Sequence, residues 1–78
     1  MNIKIYSSPM CHHCAEIKAM LKGHNIEFEE INALANQDAA IEIAQKSGFR
    51  QLPIVDIDGK FFSFEDKEEM KKHLNIPN

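Results

Sequence analysis

Cysteine is scarce in this chain: 78 residues carry two, Cys11 and Cys14. Secreted mini-proteins of this length usually rely on about four to eight. No apolar run approaches the roughly 20 residues of a membrane span. A dominant charge sign is also missing. Nine Lys and Arg face 12 Asp and Glu, a formal net charge of −3, which gives no reason to expect nucleic acid as a partner. The opening residues lack the apolar stretch and small-residue cleavage site of a signal peptide, so a cytoplasmic location is expected. Internal repeats, low-complexity segments and linkers are absent, and one domain is expected over residues 1–78, as a monomer. A chain this short buries only about 60–65% of its unfolded surface. It has no room for a separate cofactor domain, and no bound cofactor is expected. What is present is ordinary: 44% apolar and 27% charged residues, values that argue for a globular fold.

The two cysteines stand in Cys11-His12-His13-Cys14. A structural disulfide here would close a four-residue loop, and short loops remove little entropy from the unfolded chain. Redox chemistry or metal binding explains the pair better than stapling does.

Alternation of polar and apolar residues predicts a first strand over Asn2 to Tyr6, broken by Ser7-Ser8-Pro9. Cys14, Ile17, Met20 and Leu21 recur at helical spacing and predict a helix from about His12 to Lys22, terminated at Gly23. Glu27 to Asn32 reads as a second strand. Asp38 is expected to cap a second helix that runs to about Ser47. Ala40, Ile41 and Ala44 would face inward, and Gly48 would end it. A third strand is expected from Pro53 to Ile57. Asp58-Gly59 is the strongest hairpin signal in the chain, with a fourth strand from Lys60 to about Phe64. A last helix, opened by Glu65-Asp66, should reach about Leu74 before Pro77 and bury Met70 and Leu74. The order βαβαββα is an α/β class: one mixed four-stranded sheet with helices on both faces. The cysteine pair then lies at a strand-to-helix junction, with Cys11 at the helix N-terminus.

That placement suits a nucleophile. The thiolate is the reactive form of cysteine, and helix N-termini and nearby cations favour it. His12 and His13 follow Cys11 directly and are expected to tune the pair when protonated; the alternative is solvated residues that tune nothing. Cys14 lies one turn on, on the same face. Cys11 would attack a substrate disulfide and Cys14 would resolve the mixed disulfide.

With Ile3-Lys4-Ile5-Tyr6-Ser7 ahead of Cys-x-x-Cys, and Leu52-Pro53 opening strand three, the chain resembles the glutaredoxins of the thioredoxin-fold superfamily over nearly its whole length. The run Ser47-Gly48-Phe49-Arg50-Gln51-Leu52-Pro53 is similar to the glutaredoxin-like redoxins that reduce ribonucleotide reductase. The resemblance implies a thioredoxin-like fold, a cis Pro53 beside the cysteines, and thiol–disulfide oxidoreductase activity. It implies that Leu52 pairs with an extended substrate like an added strand. It also implies protein disulfides or glutathione mixed disulfides as substrates, with ribonucleotide reductase among the proteins, and Asp66 as a contact for a substrate amine. Ser8 stands where many glutaredoxins carry Lys, His12-His13 where they carry Pro-Tyr, and Ser63-Phe64 where they carry Gly-Gly. Two external electron sources stay open: glutathione, or NADPH through thioredoxin reductase.

Other readings compete. Arg50 and Gln51 either contact substrate or are simply solvated. Phe61, Phe62 and Phe64 read as core by alternation, with one of them available as docking surface. His24 and His73 read as surface residues, and Glu65 and Asp66 first of all as helix-capping acids. The competing function is a metal-binding module that uses the same cysteines for Zn²⁺ or Cu(I), or for an iron–sulfur cluster bridging two protomers. No dedicated metal ligands beyond these are expected, since consecutive histidines cannot easily join both cysteines on one ion.

Overall fold

The computed structural model describes residues 2–76; Pro77, expected to follow the last helix, lies outside the described residues. The elements are β1 (Ile3–Ser7), α1 (His12–Gly23), β2 (Glu29–Asn32), α2 (Gln37–Ser47), β3 (Ile54–Ile57), β4 (Lys60–Ser63) and α3 (Lys67–His73), with a 3₁₀ turn at Phe64–Asp66. The strands form one sheet in the order β2-β1-β3-β4. β1 and β2 run parallel, and β1–β3 and β3–β4 are antiparallel. This is the mixed four-stranded sheet expected from the element order.

Side-chain alternation assigns the two faces. Ile3 and Ile5 of β1 sit opposite Ile57 and Val55 of β3, and Val55 sits opposite Phe62 of β4. These residues form one buried cluster with Ile17 and Leu21 of α1 and with Met70 and Leu74 at α3. Each such apolar side chain removed from water contributes about 1.5–3 kcal/mol. The opposite face carries Lys4, Tyr6, Ile54 and Asp56, because successive residues of a strand point to opposite sides. α2 covers that face: Lys46 feels the charge of Asp56, and Glu42 that of Lys4. Helices therefore lie on both faces of the sheet.

The hairpin turn is as expected, with Asp58 and Gly59 both at positive φ (51° and 94°), the geometry of a two-residue type I′ turn. Several boundaries differ from expectation. Ser7 does not break β1 but ends it, paired with Asn32 and buried. Its hydroxyl is tolerated there because it donates to Glu30 at 3.0 Å. β2 starts at Glu29, two residues late, and β3 starts at Ile54 rather than Pro53. α2 is capped by Asn36, whose Oδ1 accepts the Ala39 N–H at 3.2 Å; Asp38 lies inside its first turn. Ile41 is exposed and Ile43 is the buried isoleucine. The inward stripe is 40, 43, 44 and 47, from which position 41 is rotated by about 100°. Gly48 ends α2 in the left-handed region (φ 79°), as expected. Gly23, by contrast, is the last residue inside α1. The left-handed residue is Asn25 (φ 57°), with Ile26 N–H on Leu21 O at 2.9 Å and Asn25 N–H on Lys22 O at 3.1 Å. α3 ends the same way at Asn75 (φ 59°), with Ile76 N–H on Lys71 O at 2.9 Å and Asn75 N–H on Lys72 O at 3.2 Å. Both are Schellman endings with Asn in the glycine position. Before α3 the chain makes the 3₁₀ turn, so the α-helix proper starts at Lys67 rather than Glu65.

Candidate active site at the start of the first helix

β1 ends at the sheet's centre and the chain turns through Ser8-Pro9-Met10 into α1. Cys11 N–H bonds Ser8 O at 3.2 Å and Ala15 N–H bonds Cys11 O at 3.2 Å. Cys11 is thus the N-cap residue, with extended backbone (φ −96°, ψ 112°). Its Sγ takes the place of a capping oxygen and accepts the Cys14 backbone N–H at 3.1 Å. α1 has no acidic residue in its first turn, so no fixed anion competes with this sulfur for the positive helix end.

The two thiols are unbridged and differ in access: Cys11 is half-buried and Cys14 fully buried. Burial pushes the Cys14 thiol up to about 12, and the hydrogen bond and negative charge of Cys11 push the same way. A bond from the Ser8 backbone and the charge of Lys18 oppose the shift. Cys14 is therefore a proton-holding thiol beneath a more accessible one.

A cleft of about 480 Å³ opens at His13, within the Cys11–Cys14 segment. Its walls are His13, residues 48–52 between α2 and β3, and residues 63–66 from the end of β4 through the 3₁₀ turn. The structure so gathers His13, Arg50, Gln51, Leu52 and Asp66 around one opening. Cys11, Cys14, His12 and Pro53 are not in its wall. Arg50 and Gln51 are exposed, and Leu52 is half-buried. The Leu52–Pro53 peptide is cis, and Pro53 is buried. Asp66 turns one carboxylate oxygen inward: Oδ2 accepts both the N–H and the Oγ–H of Ser63, each at 3.1 Å. His12 is exposed. His13 stacks on Phe64, ring centroids 3.8 Å apart and 27° between planes. Phe64 thus joins the wall of the site, stacked on His13 and with the Lys67 ammonium 6.0 Å from its ring centroid.

Two features were not legible as site components. The His13–Phe64 stack joins residues 51 positions apart in sequence, and neither carries a local sign of the other. On the far side of the loop, Glu30 of β2 bonds both Lys18 of α1 and Ser7 of β1. Only the four-residue interval between Cys14 and Lys18 hinted that this lysine lies near the pair. Among the described residues, no group of three or more His, Cys, Asp or Glu side chains is placed to hold a metal ion. No described helix is long and apolar enough to cross a membrane.

The sequence profile of the glutaredoxin family matches residues 3–62. An uncharacterised glutaredoxin-like 8.6 kDa protein from the rubredoxin operon of Clostridium pasteurianum is 34% identical over 70 residues, 90% of this chain and 93% of that one. Among solved structures, a mutant form of a thioredoxin-like protein superposes with a TM-score of 0.89 at 28% identity, covering 97% of each chain. The glutaredoxin-like NrdH-redoxin of Escherichia coli superposes with a TM-score of 0.73 at 35% identity, covering 81% of this chain and 82% of that one.

Proposed function

The chain belongs to the glutaredoxin family, with a thioredoxin-like fold, and is a thiol–disulfide oxidoreductase; from that premise we propose that Cys11 and Cys14 form its reactive couple and that its substrates are protein disulfides. The observation that carries this reading is the half-buried Cys11 sulfur on the helix N-cap, accepting the Cys14 N–H, with the Cys14 thiol sealed below. Cys11, as thiolate, attacks one sulfur of a substrate disulfide. The substrate S–S bond breaks, a Cys11–substrate disulfide forms, and the first substrate sulfur leaves as thiolate and is protonated. Cys14 then loses its proton and attacks Cys11 Sγ. The Cys11–Cys14 bond forms, the second substrate sulfur departs and takes up a proton, and two electrons have passed to the substrate. Cys14 is protected by burial from attacking first.

The remaining roles follow the same reading. Leu52 and Gln51 hold an extended substrate segment across the cleft, flanked by the Arg50 guanidinium on one side and Asp66 on the other. His12 and His13 tune the couple. The engagement of Asp66 by Ser63 weakens the case for a glutathione amine contact, since one carboxylate oxygen is already occupied. The NrdH-redoxin is described as having a thioredoxin-like activity profile, which supports NADPH through thioredoxin reductase over glutathione as electron source. The Ser47–Pro53 run supports ribonucleotide reductase as a target, reached by a cytoplasmic monomer.

The test is a pair of variants offered an oxidised protein substrate. Cys11→Ser abolishes reduction. Cys14→Ser attacks once and accumulates a mixed disulfide visible as added mass under non-reducing conditions. Full turnover of a protein disulfide by Cys14→Ser would contradict the assignment.

A further inference from the structure

Resolution of the mixed disulfide needs Cys14 to give up a proton in a buried place. Burial of this thiol disfavours its anion, and once Cys11 is tied up in the mixed disulfide its sulfur no longer carries a charge. What then helps the Cys14 thiolate form must come from elsewhere. The helix supplies one cation at the right interval. Lys18 is four residues beyond Cys14, so their Cβ atoms lie about 5–6 Å apart on one face of α1.

Lys18 is not free to wander. Its ammonium pairs with the Glu30 carboxylate, which also accepts the hydroxyl of buried Ser7 at 3.0 Å. Ser7 pairs with Asn32 across the β1–β2 ladder. Helix α1 and strands β1 and β2 are thereby tied together at the level of the cysteines. A small cleft of about 240 Å³, lined by Ser7, Ser8, Pro9, Glu30 and Asn32, opens on this side of the loop. It shares Ser8 with the loop that carries Cys11, whose N–H bonds Ser8 O at 3.2 Å.

We propose that Lys18, clamped by Glu30 and Ser7, is a positioning residue for the resolving step: its fixed ammonium favours the Cys14 thiolate that displaces the reduced substrate. The assignment rests on Cys14 being the resolving thiol. Glu30 is unsuited to be the base itself. Its hydrogen bonds from Lys18 and Ser7 hold its carboxyl below the usual range, so it binds a proton weakly. Its work is to hold the lysine. The charged groups that act on Cys14 are Cys11 and Lys18, and those that act on Glu30 are Lys18 and Lys22. His12 and His13, exposed on the first turn of α1, complete the titratable set around the pair.

An aromatic disulfide that releases a coloured thiolate separates the steps. Attack by Cys11 releases one thiolate, and resolution by Cys14 releases the second. In Lys18→Met, which keeps the apolar stem, the first phase keeps its rate. The second slows about fivefold at neutral pH, and its pH profile moves upward. Lys18→Arg restores both rate and profile, and Glu30→Gln falls between. Equal slowing of both phases, or an unshifted second-phase profile in Lys18→Met, overturns the role of Lys18. A second phase that survives in Cys14→Ser overturns the resolving assignment itself, and with it this inference. Loss of that phase in Cys14→Ser, together with a wild-type second phase in Lys18→Met, overturns only the inference.

Discussion

At the scale of single residues, the site divides into parts that local chemistry announces and parts that it does not. Cys11 and Cys14 were readable because a short thiol interval at a strand-to-helix junction has few structural uses. The different fates of the two histidines were not readable. Both follow the N-cap and both are exposed, yet His13 also stacks on the Phe64 ring. That difference is set by where the chain returns after β4, some 50 residues later. The proposed tuning role belongs to this scale. Replacing the spacer by Val-Gln (His12→Val with His13→Gln) removes two titratable groups beside the couple. The expected result is a more reducing couple, because cations near the sulfurs stabilise the dithiol state as its thiolate. Redox titration against glutathione measures it. A change of less than about 10 mV, a third of the 30 mV that corresponds to about 1.4 kcal/mol, would show that the histidines are bystanders.

At the scale of elements, order and type were legible and the endings were less so. The apolar intervals of α1, the alternation of β1 and the Asp58-Gly59 turn each follow from periodicities intrinsic to helix, strand and hairpin. Helix ends depend on which residue first accepts a left-handed backbone. Gly23 looked suited to this, but α1 continues through it to let Ile26 fold back onto Leu21, and the turn falls on Asn25. The same Asn-Ile pairing recurs at Asn75-Ile76. Asn tolerates this conformation better than other side chains with a Cβ, because its short amide can bond locally. Asn25→Ala therefore costs about 1 kcal/mol of stability, and Asn25→Gly costs nothing or stabilises slightly. Urea denaturation of the two variants distinguishes them; equal losses would show that the side chain, not the backbone angle, matters. The second helix shows the same lesson on its flank. Asp38 and Asn36 both suit a cap, and the choice falls on the residue whose oxygen reaches Ala39.

At the scale of the whole molecule, the buried thiol links redox state to alkaline stability. A thiol whose folded value is raised to about 12 from an ordinary 9.0 contributes nothing unfavourable while it stays protonated. Its stabilising contribution is complete below about pH 9, and is lost as pH rises through about 12, because the unfolded chain ionises first. The reduced protein should accordingly lose on the order of 2–4 kcal/mol more than Cys14→Ala does between those limits. Thermal melts of both across that range check the difference. Parallel curves would mean that Cys14 is not held neutral by the fold. The oxidised protein, lacking a titrating thiol there, should follow the variant.

The unequal access of the two sulfurs has one more consequence. A single partly open sulfur above a sealed one gives the molecule one doorway. On the proposed roles of Cys11 and Cys14, whatever hands electrons in and whatever carries them out touch the same atom, so the two visitors take turns. On that reading the chain is a shuttle between partners that never meet on it, rather than a bridge that holds both at once.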